Sequence, residues 1–142
     1  MAEILSGEWV SAWGEALNAS ASYRSAAASW EGAVVVAVRP EPARGVVPRA
    51  VFLDLWHGAC RAARAAAPDD EAAARYVLTA DAATWVRVLS GALDPLAAVM
   101  SGALELTKGS VASLLPHVAA AKELVAVARG LRGSPPPAWP AA

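Results

Sequence analysis

Apolar and polar residues alternate along this chain in two rhythms. Trp9, Val10, Trp13, Ala16 and Leu17 recur at three- and four-residue spacings, which predicts an amphipathic helix over 7–18 with Ser6 as its N-cap. A second short helix is expected over 20–28, ending before Gly32. The run AVVVAV, 33–38, is mostly β-branched and lacks polar alternation, so it reads as a central strand covered on both faces. Prolines 40, 42 and 48 make 39–49 a loop, because proline supplies no ladder N–H. From 50 to 56 the period becomes two: Val51, Leu53 and Leu55 point one way, and Phe52, Asp54 and Trp56 the other.

His57-Gly58 then reads as a two-residue turn, with Gly58 free to take a positive φ. The segment after it, ACRAARA, has the local propensity of a helix. A strand is nevertheless expected there, because the strand before the turn needs a partner. Residues 68–72 read as a loop and 75–80 as a further strand.

The second half is more sharply punctuated. Asp81 caps a helix carrying Trp85, Val88 and Leu89 on one face and ending at Gly91. Asp94-Pro95 starts another, expected to bury Leu96, Val99 and Met100 and to stop at Gly102. Residues 103–108 alternate as a strand with Leu104 and Leu106 inward. Val111, Leu114, Leu115, Val118, Ala121, Val125 and Ala128 then form one apolar stripe, split or kinked at Pro116. The ending GSPPPAWPAA reads as a Pro-rich flexible tail with no core face. The expected organisation is one domain over 1–132 and this tail over 133–142.

Composition narrows the function classes. Apolar residues make up 56% of the chain, too many for disorder. The net charge is −1 and the ten arginines are scattered, so no basic patch suggests nucleic acid. The N-terminus lacks the basic start, apolar core and cleavage site of a signal peptide. The longest stretch between charges, 109–121, is too short to span a membrane. A cytoplasmic protein without stable membrane insertion is expected. One cysteine excludes an intramolecular disulfide and a multi-cysteine zinc site.

Asp54, His57 and Cys60 stand three apart and invite a catalytic reading. Nucleophilic chemistry needs thiolate and base within hydrogen-bond reach in a walled pocket. The hairpin reading puts His57 at an open turn and makes Cys60 a small apolar side chain. No catalytic residue, metal or cofactor is therefore assigned, and thiol or metal chemistry stands as the lesser alternative.

The segment 83–115 resembles the sterol carrier protein-2 (SCP2) family. It carries M-S-G-x-L-x-L-x-x-G as Met100, Ser101, Gly102, Leu104, Leu106 and Gly109. The hairpin FLDLWHGACRAA is similar to that family's central L-x-L-x-x-G hairpin, with His57 where an acidic residue often stands. Residues 8–38 resemble the N-terminal helices and first strand of its bacterial branch. The alanine-rich strand 59–67 offers unusually little bulk, and the ending AWPAA lacks the peroxisomal signal of eukaryotic members.

The resemblance implies an α+β fold. Its five-stranded, mainly antiparallel sheet (near 32–39, 49–57, 59–66, 75–80 and 103–108) would carry helices over one face. It also implies a non-enzymatic lipid carrier with an apolar tunnel for a fatty acid, acyl-CoA, sterol or phospholipid. The lining residues expected are Trp85, Val88, Leu89, Leu96, Val99, Met100, Leu104, Leu114, Leu115, Val118 and Val125. Alanine-rich walls would leave volume for a ligand to fill. The alternative use of the same strip is a protein-interaction or homodimer surface.

Overall fold

In the computed structural model, which describes residues 2–140, five strands form one sheet in the order β3-β2-β1-β4-β5. They are β1 Glu31–Val38, β2 Arg49–Trp56, β3 Ala59–Ala65, β4 Tyr76–Ala80 and β5 Glu105–Lys108. All neighbours run antiparallel except β1 and β4, which are parallel. The alternation of β2 holds: Val51, Leu53 and Leu55 are buried, while Trp56 is exposed. Leu53 and Leu55 share the main core with Leu104 and, at its border, Leu106.

The turn joining β2 to β3 has positive φ at both His57 (50°) and Gly58 (85°). That pair is a type I′ turn, whose twist matches the strands it joins. Tertiary pairing thus overrides the helical propensity of ACRAARA.

Helices α1 Gly7–Ala19 and α2 Ala21–Ala26 precede the sheet; α4 Ala82–Ser90 and α5 Pro95–Ser101 lie between β4 and β5. Side-chain oxygens of Ser6, Asp81 and Asp94 cap α1, α4 and α5, accepting from Trp9, Thr84 and Ala97. Pro116 breaks the last apolar stripe into α6 Val111–Leu114, a 3-10 turn Leu115–His117, and α7 Val118–Arg129. The 19-residue stretch Val111–Arg129, which runs past the uncharged segment 109–121, is by length and composition alone long and apolar enough to cross a bilayer. Here it is interrupted at Pro116, and Leu114, Ala120, Leu124, Val125 and Ala128 turn inward.

The run in β1 is covered on both faces. Val34, Val36 and Val38 belong to the main core, and Val35 and Ala37 to a small cluster with Ala74 and Val77. That second face corrects one expectation, because 68–72 is not all loop: Asp70–Ala73 form a one-turn helix, α3. The Asp70 carboxylate accepts from Ala67 N (2.5 Å) and from Arg64 Nη1 and Nη2 (2.6 and 3.0 Å), tying this turn to β3.

Two further readings are corrected. β5 begins at Glu105, because Leu104 N donates to Ala98 O at the end of α5 rather than to a strand; Leu104 is buried all the same. The ending does possess a core face. Ile4 N donates to Ser134 O and Ser134 N to Ala2 O, and Trp139 is buried within the main core cluster.

Candidate functional site

Between the helical face of the sheet and its roof lies a cavity with an apolar accessible wall throughout. The period-two pattern of the sheet builds the floor: Val34 and Val36 from β1, Tyr76 and Leu78 from β4. The 3.6-residue pattern of the helices builds the roof. α4 supplies Trp85, Val88 and Leu89, α5 supplies Leu96 and Val99, and Leu104 follows. Leu114 comes from α6, and Val118 and Val125 from α7. The space within it open to water-sized molecules is about 60 Å³. With its mouth the depression holds about 820 Å³ of non-atom space.

Nine of the eleven expected lining residues thus converge on one cavity. Met100 and Leu115 do not; they are 69% and 52% exposed. α5 turns Pro95 and Ala98 fully inward, so Met100, one residue past Val99, is rotated about 100° further round to solvent. Leu115 opens the 3-10 turn forced by Pro116, and this turn rotates it away from the stripe that Leu114 continues.

The wall also includes residues that the sequence reading placed in ordinary core or did not single out: Leu5, Trp13, Trp30, Val34, Val36 and Leu124 among them. A period-two signal would have found Val34 and Val36, but the unbroken run AVVVAV hides which alternate positions face the helices. Trp13 and Trp30 sit far from the roof in sequence and reach it only through folding.

Two of the three tryptophans in this wall are anchored at their polar ends. Trp85 Nε1 donates to Ala37 O at 2.9 Å, and Trp13 Nε1 donates to Leu124 O at 3.0 Å. These bonds tie α4 to β1 and α1 to α7. Tyr76 hydroxyl and Ser113 Oγ lie 3.0 Å apart, joining β4 to α6. Lys122, exposed, is the one charged residue of the wall, and its Nζ lies 3.9 Å from Asp94 Oδ1.

The Asp54, His57, Cys60 set does not assemble. Asp54 takes a two-point contact from Arg61 (3.0 and 3.1 Å), and His57 Nε2 lies 2.6 Å from Glu31 Oε1. Cys60 is buried and its Sγ donates to Ala62 O at 3.3 Å. Burial, with a smaller contribution from Asp54, pushes its thiol up to about 11, against the lowering effect of the Ala62 contact. A neutral thiol is a poor nucleophile. No group of three metal-ligating side chains forms among the described residues.

The SCP-2 sterol transfer family matches residues 14–113, from α1 to α6. The chain belongs to this family. Two solved structures resemble this SCP2 chain over almost its whole length. A crystal structure of sterol carrier protein 2 is 50% identical, covering 92% of this chain and all of its own, with a TM-score of 0.84. The solution structure of a conserved hypothetical protein from Thermus thermophilus, described as possibly a sterol carrier protein, is 49% identical. It covers 96% of this chain and 94% of its own, with a TM-score of 0.83. The apo form of sterol carrier protein 2 from Yarrowia lipolytica is 16% identical over 86% of this chain and 90% of its own. Its TM-score of 0.58 extends the SCP2 fold to distant sequences. No curated protein matches the chain.

Proposed function

We propose that this chain is a non-catalytic, cytoplasmic carrier or store that binds an elongated apolar ligand between its sheet and helices. The ligand class is a fatty acid, acyl-CoA, sterol or phospholipid. The observation that carries this reading is the cavity, apolar but for Lys122, walled by α4, α5, α6 and α7 over β1 and β4. Membership of a sterol transfer family supports it.

The energetics are favourable without a polar anchor. Burying ~12 methylenes at ~0.8 kcal/mol each gives roughly 10 kcal/mol gross. Immobilisation and ordering costs reduce this and leave micromolar binding within reach. A space of about 60 Å³ is too small for such a chain, so the roof must yield as the ligand enters. α5 and α7 are suited to yielding: the ion pair between them, Asp94 to Lys122, is about half exposed at both ends and weak.

Native mass spectrometry of gently purified protein, followed by lipid extraction, tests the proposal. A co-purifying lipid, or uptake of a fluorescent fatty acid at micromolar concentration, is the expected outcome. Protein that is empty and takes up no fatty acid would refute it. The second reading, a homodimer or partner surface, is favoured by Met100 and Leu115, which remain exposed. Light scattering that shows concentration-dependent dimerisation, together with no lipid uptake, would select that reading.

A further inference from the structure

The cavity meets solvent along one seam. Among the described residues that line it, Lys122 on α7 is the one that is exposed. Four of the five half-buried lining residues belong to the same pair of helices: Leu96 and Val99 on α5, Val118 and Ala121 on α7. The fifth is Leu78 on β4. The mouth therefore lies between α5 and α7.

Lys122 spans that mouth. The accessible wall is apolar, so it is the methylene stem that borders the cavity. The side chain is 52% exposed, which leaves the ammonium in solvent at the rim. The acid facing it is Asp94, the N-cap of α5, whose Oδ1 lies 3.9 Å from Nζ. That separation is beyond hydrogen-bond length. Asp94 has its own task, because its Oδ2 accepts from Ala97 N at 3.0 Å. The ammonium, with three donors, has capacity left for an acceptor that emerges from the mouth.

We infer that Lys122 sets the specificity of this mouth, and that the preferred ligand is a long-chain monocarboxylate bound tail inward with its ionised carboxylate on the Lys122 ammonium. This assignment rests on the cavity being the lipid site, and it gives that site a direction. An apolar interior penalises a charged end, so the tail enters and the head stays in water. Lys122 supplies one positive charge with Asp94 beside it, which suits a single negative charge. A dianionic phosphate would bring a second charge against Asp94. An alcohol or sterol hydroxyl gains no ion pair there. An exposed ion pair changes affinity by up to about fivefold.

The test measures binding of dodecanoate, monododecyl phosphate and 1-dodecanol by equilibrium dialysis at pH 8 and low salt. The quantity read is the ratio of dodecanoate affinity to dodecanol affinity. Lys122→Gln should lower that ratio about twofold to fivefold, and Lys122→Arg should retain it. Asp94→Asn keeps an N-cap acceptor and removes the competing charge, so it should raise the ratio. The wild-type ratio should fall as salt is raised to about 0.5 M. In ¹³C spectra of carboxyl-labelled dodecanoate bound to the wild type, the carboxyl should be ionised at pH 8 and titrate on acidification. This last measurement needs no variant to fold. A ratio unmoved by Lys122→Gln, an equal fall in both affinities, a bound carboxyl signal blind to pH, or phosphate bound more tightly than carboxylate overturns the assignment and leaves lipid binding intact. Binding of neither dodecanoate nor dodecanol would overturn the cavity as ligand site, and the role of Lys122 with it.

Discussion

Individual residues are legible from sequence where their chemistry is local. Ser6, Asp81 and Asp94 were readable as caps, and each accepts the backbone N–H three residues on. Gly58 was readable as a turn residue; the positive φ of its neighbour His57 was not, since it follows from the demand of a type I′ turn. Cys60 shows the limit of spacing arguments. Its separation from Asp54 and His57 suggested a site, yet each of the three takes a different partner. Burial raises the folded-state thiol to about 11, so near neutral pH the thiol stays protonated in the folded protein. A thiol-specific reagent at pH 8 should therefore label Cys60 at least tenfold more slowly in the native protein than in urea. Equal rates would contradict its burial. Because the folded-state value is raised, Cys60 contributes its stability fully below the unfolded thiol's ordinary range and loses it as pH rises towards about 11.

At the scale of elements, periodicity located β2 and the longer helices, a β-branched run located β1, and the need for a hairpin partner located β3; pattern failed where packing outweighs it. β3 is the instructive case. Its alanines look like a thin wall that leaves space for a ligand, but α1 occupies that space. A Cβ on Gly14 would sit 2.6 Å from Ala63 Cβ and 3.3 Å from Cys60 Sγ, so helix and strand approach as closely as small residues allow. The approach lets Asn18 reach the bulge opposite Asp54 and Leu55, donating to Cys60 O at 2.9 Å and accepting from Cys60 N at 2.8 Å. Helix propensity alone would make Gly14→Ala stabilising by ~1 kcal/mol. The close contact reverses that sign, and a net loss of about 1–2 kcal/mol is expected, read as a lower urea midpoint at unchanged slope. Adding Ala63→Gly should recover part of the loss, because the two sites share one contact. A stabilising Gly14→Ala would refute the tight α1–β3 packing. Met100 and Leu115 fail for the complementary reason: a short helix and a 3-10 turn carry too few residues to define a face by period.

For the whole molecule, the question is what occupies the space under the roof. Ala121 on α7 lines the cavity and is half-buried. Ala121→Leu should fill a large part of the enclosed space of about 60 Å³. Stability should stay within about 1 kcal/mol or rise, since cavity filling commonly stabilises. Uptake of a fluorescent fatty acid should fall at least tenfold. Unimpaired uptake would place the ligand elsewhere, and a large loss of stability would mean the wall cannot accept the added side chain.

The sequence by itself determined the local geometry: caps, turn positions, the period of β2 and the apolar stripes of α4 and α7. These depend on residues within a few positions of one another, where backbone sterics and hydrogen bonding act alone. Its resemblance to a family supplied the assembly of these pieces into an α+β sheet-and-helix fold. Only the tertiary structure decided which apolar residues line a cavity and which close the core, because both are buried by the same hydrophobic effect and differ only in what lies opposite them. It also decided that Trp139 packs inward and that α1 fills the space beside β3. Those outcomes are set by contacts between residues far apart in sequence, which no local pattern encodes.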